Sequence, residues 1–403
     1  MDRRRFLKST AAVALAGAAA SCTELDFLPI APDRHPCDKK DGEKSKTTLM
    51  STSILVASDR HEMGQGNNLP GLLQQAARQD GVLPSVVLLG GDYVGGGGNM
   101  TPEFTINDLY DEVYSAFEFP ACEALFTYGS HDNCCSEGYS AFFSGPRRCN
   151  GYYVYGVSYA QMACATDSDA AAAVNLHNQL LSSGSSFDEF EDDDIVLTKS
   201  GYSGIDIADR YGKSADSASK NFLKWVDSLE DNAPIVVMSH MPIHSNRGDN
   251  FGGLIWFEAL SKAAVKHDIL FLWGHNHTIE EKASDATDRE DTKLKDKFYY
   301  LLTPSDLLTP GDSIQIQGAV KEEVVTKELP FTYANAGYIK LGYGTIITFS
   351  AQDSSDGYDS MTIRRFSIES IAPETEIGFT GKSNPFTVKL KRTSAHFVES
   401  RRS

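Results

Sequence analysis

An α/β fold with a mostly parallel inner sheet is the architecture this 403-residue chain predicts, on three observations. Short apolar runs alternate with stretches of helical period from about Thr52 to Trp273, the rhythm of βαβ units. Five of the runs (SILVA, SVVLL, ALFTY, IVVMS and DILFLW) have the length and composition of buried strands. Strand-like pieces then follow one another without helices between them, as sheet-completing hairpins do.

The first 21 residues stand outside that fold. Arg3-Arg4-Arg5-Phe6-Leu7-Lys8 precedes AAVALAGAAA, which reads as a Tat export signal. The apolar stretch is too short for a standard membrane span. Small residues before Cys22 resemble a lipobox, although Ala19 sits where Leu is commoner. On that reading Cys22 becomes the lipid-bearing first residue of a periplasmic or cell-surface protein, touching membrane only through this anchor. An ordinary signal cleaved near Ala20 would leave Cys22 a free thiol. Residues 22–50, with DKKDGEKSK, read as a tether.

The domain is expected over residues 51–371. SILVA opens it. LPGLLQQAARQD has helical pattern and leads to SVVLL, and a second helix over Ile106–Phe117 leads to ALFTY. A Tyr-rich, Ala-rich and acidic insert of about 136–215 interrupts the rhythm. A helix near Ser214–Leu229 restores it before IVVMS, and Leu254–Lys266 precedes DILFLW. A second insert covers about 278–335 and begins with a charged loop. FYYLLT, TYANAG, YIKLGYGTIITF and SMTIRRFSI are expected as antiparallel strands, and 372–403 as a C-terminal extension. Tyr152-Tyr153-Val154-Tyr155 reads as a buried strand in preference to a base-stacking surface. The chain has no internal repeat.

A net charge of −18 argues against nucleic-acid binding, which needs a basic footprint. Its simpler meaning is solubility of an exported protein. Beyond Cys22 the chain has Cys37, Cys122, Cys134, Cys135, Cys149 and Cys164, an even number that suggests disulfides bracing the segment around Gly129. No C-x2-C pair supports a thiolate metal site. The acidic run Asp188–Asp194 lacks the spacing of a calcium loop and reads as a solvated insertion. The Gly95–Gly98 run lacks the lysine of a phosphate-binding loop and reads as a flexible site edge.

Chemistry is concentrated just after the apolar runs: Asp59-Arg60-His61, Gly91-Asp92, Gly129-Ser130-His131-Asp132, His240, and Gly274-His275-Asn276-His277. Loops leaving the carboxyl ends of parallel strands converge on one crevice, so these distant segments can meet. Carboxylate, imidazole and hydroxyl donors suit two divalent or trivalent ions such as Zn, Mn or Fe. Two ions about 3.5–4 Å apart can hold a nucleophilic hydroxide and clamp both oxygens of phosphoryl transfer. Asp92 can bridge them, and His131 is the best candidate for the acid that protonates the leaving oxygen. Each residue alone has a bland reading: a structural histidine, a turn aspartate. The joint pattern decides, since five of the ten histidines fall in these loops. His244 reads as a polar neighbour of the pocket.

Taken in order, D-x-H, G-D, G-x-H-D, a lone H and G-H-x-H, these segments resemble the calcineurin-like metallophosphoesterase superfamily from about Leu55 to His277. The resemblance implies a four-layer αββα sandwich of two mixed β-sheets flanked by helices, with a dinuclear centre. Asp59, His61, Asp92 and His277 would bind one ion, and Asp92, Ser130, His240 and His275 the other. His131 would be the general acid and Asp132 the residue that orients it. Ser130 departs from the family's Asn and would be a weaker ligand, while Arg60 and Met241 fill positions where the family varies. The place of the metal-binding Tyr of purple acid phosphatases is taken by Gly95, and Tyr93 stands two residues earlier. The implied activity is hydrolysis of a small-molecule or headgroup phosphate ester. The alternative is a catalytically degenerate binding protein of the cell envelope, for which Ser130 is the support.

Overall fold

Two six-stranded mixed sheets lie face to face between layers of helix. The structure, a computed structural model, describes residues 51–61, 68–79, 84–94, 99–100, 106–116, 123–129, 132–134, 142–163, 165–166, 214–244, 252–275, 302, 305–317, 324–351, 357–368 and 377–391. The first sheet has the order β16-β15-β14-β1-β2-β4. Its β1 (Ser51–Ala57), β2 (Val86–Leu89) and β4 (Glu123–Phe126) are parallel. The strands β14 (Tyr343–Ser350), β15 (Ser360–Ser367) and β16 (Phe386–Lys389) extend it antiparallel from β1.

The second sheet has the order β10-β13-β9-β8-β7-β6. β7 (Tyr153–Val157), β8 (Ile235–Ser239), β9 (Ile269–Trp273) and β13 (Thr332–Asn335) are parallel, with β6 (Gly145–Arg148) and β10 (Leu307–Leu308) antiparallel at the edges. Two small pairs complete the strands: β3 (Asn99–Met100) beside β5 (Asn133–Cys134), and the hairpin β11 (Ser313–Gln317) with β12 (Val324–Glu328).

Strand alternation sorts the apolar residues into two cores. Ile54, Val56, Val86 and Leu88 meet Val154, Val236, Met238, Leu270 and Leu272 between the sheets. The intervening Leu55, Val87, Tyr155, Val237 and Phe271 face the helices. Buried on both faces, these strands have the unbroken apolar runs of a parallel sheet.

On the first sheet lie α1 (Leu69–Gln79) and α2 (Ile106–Ala116), with Tyr110 against Phe126 at 4.6 Å between ring centres. On the second lie α3 (Tyr159–Ala163), α4 (Ala215–Asp227) and α5 (Gly253–Ala263), where Tyr155 meets Phe222 at 4.9 Å. The layers are helix, sheet, sheet, helix, so the expected sandwich is the observed one. Among the described residues, no helix is long and apolar enough to cross a membrane.

Several expectations change. TYANAG forms β13, which runs parallel to β9: the long connection 274–331 returns the chain to the same end of the sheet. YIKLG is a 3₁₀ turn, Ile339–Leu341, stopped by Gly342 at φ 71° before β14 begins. β14 and β15 are antiparallel, and FYYLLT lies outside the described residues except for buried Leu302. The stretch 136–215 supplies β6, β7 and α3 to the second sheet, and 278–335 supplies β10 and β13. Tyr153 and Tyr155 lie in β7, buried. β16 comes from the segment read as an extension, because its backbone satisfies the edge of β15 and Leu390 is buried beyond it. Cys149 is a free thiol, not half of a disulfide; burial and the Glu123 carboxylate push it up to about 12. The side chains of the other six cysteines, the leader, the tether, Gly95–Gly98 and Asp188–Asp194 lie outside the described residues.

Candidate metal centre

Four non-glycine residues take left-handed backbone conformations among the described residues: Asp59 (φ 57°), His61 (φ 47°), Asp92 (φ 54°) and His275 (φ 67°). All four are ligands expected from the sequence. Such conformations cost free energy and persist only where surrounding contacts over-determine them. Those contacts are on the backbone. Asp59 N–H donates to Gly91 O at 3.0 Å and His61 N–H to Asp92 O at 3.0 Å, which zips the loop after β1 to the loop after β2. Gly274 N–H donates to His240 O at 3.0 Å, and His275 N–H to Asp59 Oδ2 at 3.0 Å, which closes the second sheet onto the first.

Glycine is required where these loops touch. A methyl group on Gly129 would overlap the backbone N and Oδ1 of Asp92, and one on Gly274 would overlap Ser58 Oγ and Asp59 Oδ2. Asp132 completes the frame. Its Oδ2 accepts from Gly129 N–H at 2.7 Å and Asp92 N–H at 2.9 Å, and its Oδ1 from Tyr93 N–H at 2.7 Å. The carboxylate expected to orient His131 thus holds the Asp92 loop with both oxygens.

The side chains converge in two groups, Asp59 with His61 and Asp92, and Asp92 with His240 and His275, whose donor atoms lie within 4.8 Å of one another in each group. Asp92 belongs to both. Its Oδ2 is 3.1 Å from His240 Nε2 and 3.7 Å from His61 Nε2, and His61 Nε2 is 3.5 Å from Asp59 Oδ1. Tautomers follow from the partners. His240 Nδ1 lies 2.9 Å from Gly90 O and His61 Nδ1 3.3 Å from Val94 O. A carbonyl only accepts, so each Nδ1 donates its proton there, which turns each Nε2 toward the carboxylates, as second-shell bonds do for metal-binding histidine.

Electrostatics fit a cation. Asp59 and Asp92 are buried, and so is His240. Burial alone would lower His240, but Asp92 and Asp59 overcome it and hold the imidazole at about 9. Burial likewise opposes His61, and the same two carboxylates raise it above its usual range. His275 Nδ1 is 3.3 Å from His240 Nε2, a spacing that two lone pairs tolerate only around a proton or a metal ion. Burial and the Asp92 charge hold Asp132 above the ordinary carboxylate range, although Gly129 and Tyr93 N–H groups pull it down. Carboxylate and imidazole donors in two groups sharing one aspartate suit divalent ions of the Mn, Fe or Zn type.

Of the expected site residues, Asp59, His61, Asp92, Asp132, His240 and His275 are thus brought together. Ser130, His131 and His277 lie outside the described residues. His244 is fully buried, 2.8 Å from Tyr333 Oη through Nδ1, and is no part of either group. Tyr93 is buried, with its ring stacked on Phe142 and its hydroxyl 2.8 Å from Thr127 O, so it braces strands instead of reaching an ion. The sequence reading missed Arg60, whose only signal was its place between two ligands. Its Nη2 donates to Glu112 Oε1 at 2.9 Å and its Nη1 to Tyr93 O at 3.4 Å.

The model of the calcineurin-like phosphoesterase family matches residues 52–278, which contain every one of these ligand loops. No curated protein matches the chain at a significant level. Among solved structures, that of GAP50, the anchor in the inner membrane complex of Plasmodium, is similar at 10% identity. The likeness covers 85% of this chain and 89% of that one, with a TM-score of 0.39.

Proposed function

Since the chain belongs to the calcineurin-like phosphoesterase family, we propose that it hydrolyses a phosphate ester, mono- or diester, at two metal ions that share Asp92. The observation that carries this reading is the Asp92 carboxylate, buried between a histidine from each sheet and common to both ligand groups. Asp59 and His61, with His277, would hold one ion; His240 and His275, with Ser130, the other. When bound, such ions acidify a water and neutralise charge on the phosphoryl oxygens. The protein's own part is to aim each Nε2, through the Nδ1 contacts to Gly90 O and Val94 O, and to fix Asp92 through Asp132. His131, next to that brace in the chain, would give its proton to the leaving oxygen.

Metal analysis of the purified protein, with turnover of 4-nitrophenyl phosphate and bis(4-nitrophenyl) phosphate in added Mn or Zn, tests the reading. Two ions per chain and hydrolysis of one ester are expected, with His131→Ala losing turnover but keeping the ions. One ion or none, with neither ester cleaved, overturns it in favour of a degenerate binding protein.

We further propose export by the Tat route and a lipid anchor at Cys22, supported by the arginines at 3–5 and the small residues before Cys22. Cys22→Ala should move the protein from the membrane fraction to the soluble one. An unchanged distribution rules the anchor out.

A further inference from the structure

We infer that Arg60 and Glu112 form a positioning pair for the metal centre, coupling helix α2 to the ligands Asp59 and His61. The inference rests on the metal-centre reading above. Arg60 stands between two ligands that both have left-handed backbone, so its own direction follows from theirs. Its side chain points away from the ions into the protein, 5% exposed, and forks. One arm reaches Glu112 of α2 at 2.9 Å; the other reaches the carbonyl of Tyr93, the residue after Asp92. One guanidinium therefore ties three pieces together: the loop after β1, the loop after β2 and a helix of the outer layer.

Charge explains why the pair must be complete. Glu112 balances the buried guanidinium charge at 2.9 Å. Glu112 depends on Arg60 in return. Its Oε2 is buried with no hydrogen-bond partner among the described residues, so its compensation comes through Oε1 alone. Lysine cannot replace this arginine, because a single ammonium on a flexible stem cannot serve Glu112 and Tyr93 O in the fork geometry. α2 itself is anchored in the core by Ile106, Leu109 and Val113, and by Tyr110 on Phe126. The pair thus transmits a fixed reference point to the most strained stretch of backbone at the site.

The test is calorimetric titration of metal-free protein with Mn(II), beside thermal unfolding of the metal-free state, for wild type, Arg60→Met, Arg60→Lys, Glu112→Gln and the double variant Arg60→Met/Glu112→Met. Arg60→Met and Arg60→Lys should weaken one of two ions by about tenfold or more, the usual scale for second-shell partners. The double variant removes the uncompensated charge, so it should regain thermal stability over Arg60→Met while the weakened ion stays weak. If the double variant recovers both stability and affinity, the pair serves the fold alone and the inference falls. If Arg60→Met does not fold, Glu112→Gln and the double variant carry the same comparison. Failure of the metal-centre reading looks different: wild type itself would then not take up two ions.

Discussion

Asp132 takes three backbone N–H groups on two carboxylate oxygens and so sets the position of Asp92, while belonging to neither group that could hold an ion. Asp132→Asn turns an amide N–H toward one of these donors. It should cost about 2 kcal/mol of stability for the unsatisfied buried donor and lower metal affinity about 10–100-fold. Equilibrium unfolding and metal titration read the two effects separately; full retention of affinity would show that Asp92 is positioned by its other contacts. His244 carries a pH prediction. Burial lowers it to about 3, with its Nδ1 2.8 Å from Tyr333 Oη, so the native imidazole is neutral. The unfolded chain binds that proton below about 6.5. The contribution is therefore fully present above that pH and is lost as pH falls from there toward 3, by up to about 1.4 kcal/mol per pH unit. Buried His267, also lowered by burial, adds in the same direction. Denaturant midpoints at pH 7 and pH 5 should differ, and His244→Phe should flatten the slope between them.

At the scale of elements, the ligands sit on turns that the strands deliver but do not themselves shape. β1, β2, β8 and β9 end one to three residues before Asp59, Asp92, His240 and His275, and at all of these but His240 the chain turns from extended to left-handed backbone. Gly129 makes this possible after β4 because a side chain there would occupy the volume of Asp92. Gly129→Ala should accordingly lower metal affinity at both ions, since Asp92 is common to both groups, by about 10–100-fold as for a displaced second-shell contact. Titration of the metal-free variant checks it; loss at one ion only would argue against a shared Asp92. The helices α1, α2, α4 and α5 were legible in the sequence to within a few residues, since an apolar stripe at period 3.6 needs only local information, whereas the single short turn of α3 was not. The Ser214 cap before α4 agrees with that reading. The direction of β13 was not legible, because a short apolar run looks alike in either orientation.

Across the whole molecule, the site is a junction between two sheets: Asp59, His61 and Asp92 follow strands of the first, His240 and His275 strands of the second. The segment after β13 crosses the same gap, with Ser58 N–H donating to Gly337 O at 3.2 Å and Ile339 N–H to Ser58 O at 2.9 Å. Behind it Arg365, buried in β15, donates from Nη2 to Asn335 O at 2.8 Å at the end of β13. Burial lowers its pKa only to about 10, so it stays charged at neutral pH, with Tyr343 and Phe379 each 5.5 Å from the guanidinium carbon. Ions bound at the junction should therefore stabilise the fold as a whole. An ion at 100 times its Kd adds about 2.7 kcal/mol by mass action, or several degrees of Tm at about 2–4 °C per kcal/mol. Melting in EDTA and in excess Mn should show that gap; superimposable curves would mean that the folded state takes up no ion under those conditions.

Residue types and their order were enough to determine the class of fold, the strands and helices of its core, and which residues could be ligands. Strand burial and ligand chemistry are local properties of a chain, and both are written in composition and period. Only the tertiary structure decided that Asp132 braces backbone, that Tyr93 and His244 are packed outside both ligand groups, and that Arg60 reaches a helix. Those facts depend on how two sheets meet and on backbone conformations that residues such as Asp and His adopt only when neighbours compel them. Contacts between segments from 31 to 216 residues apart supply that compulsion, and no local pattern records them.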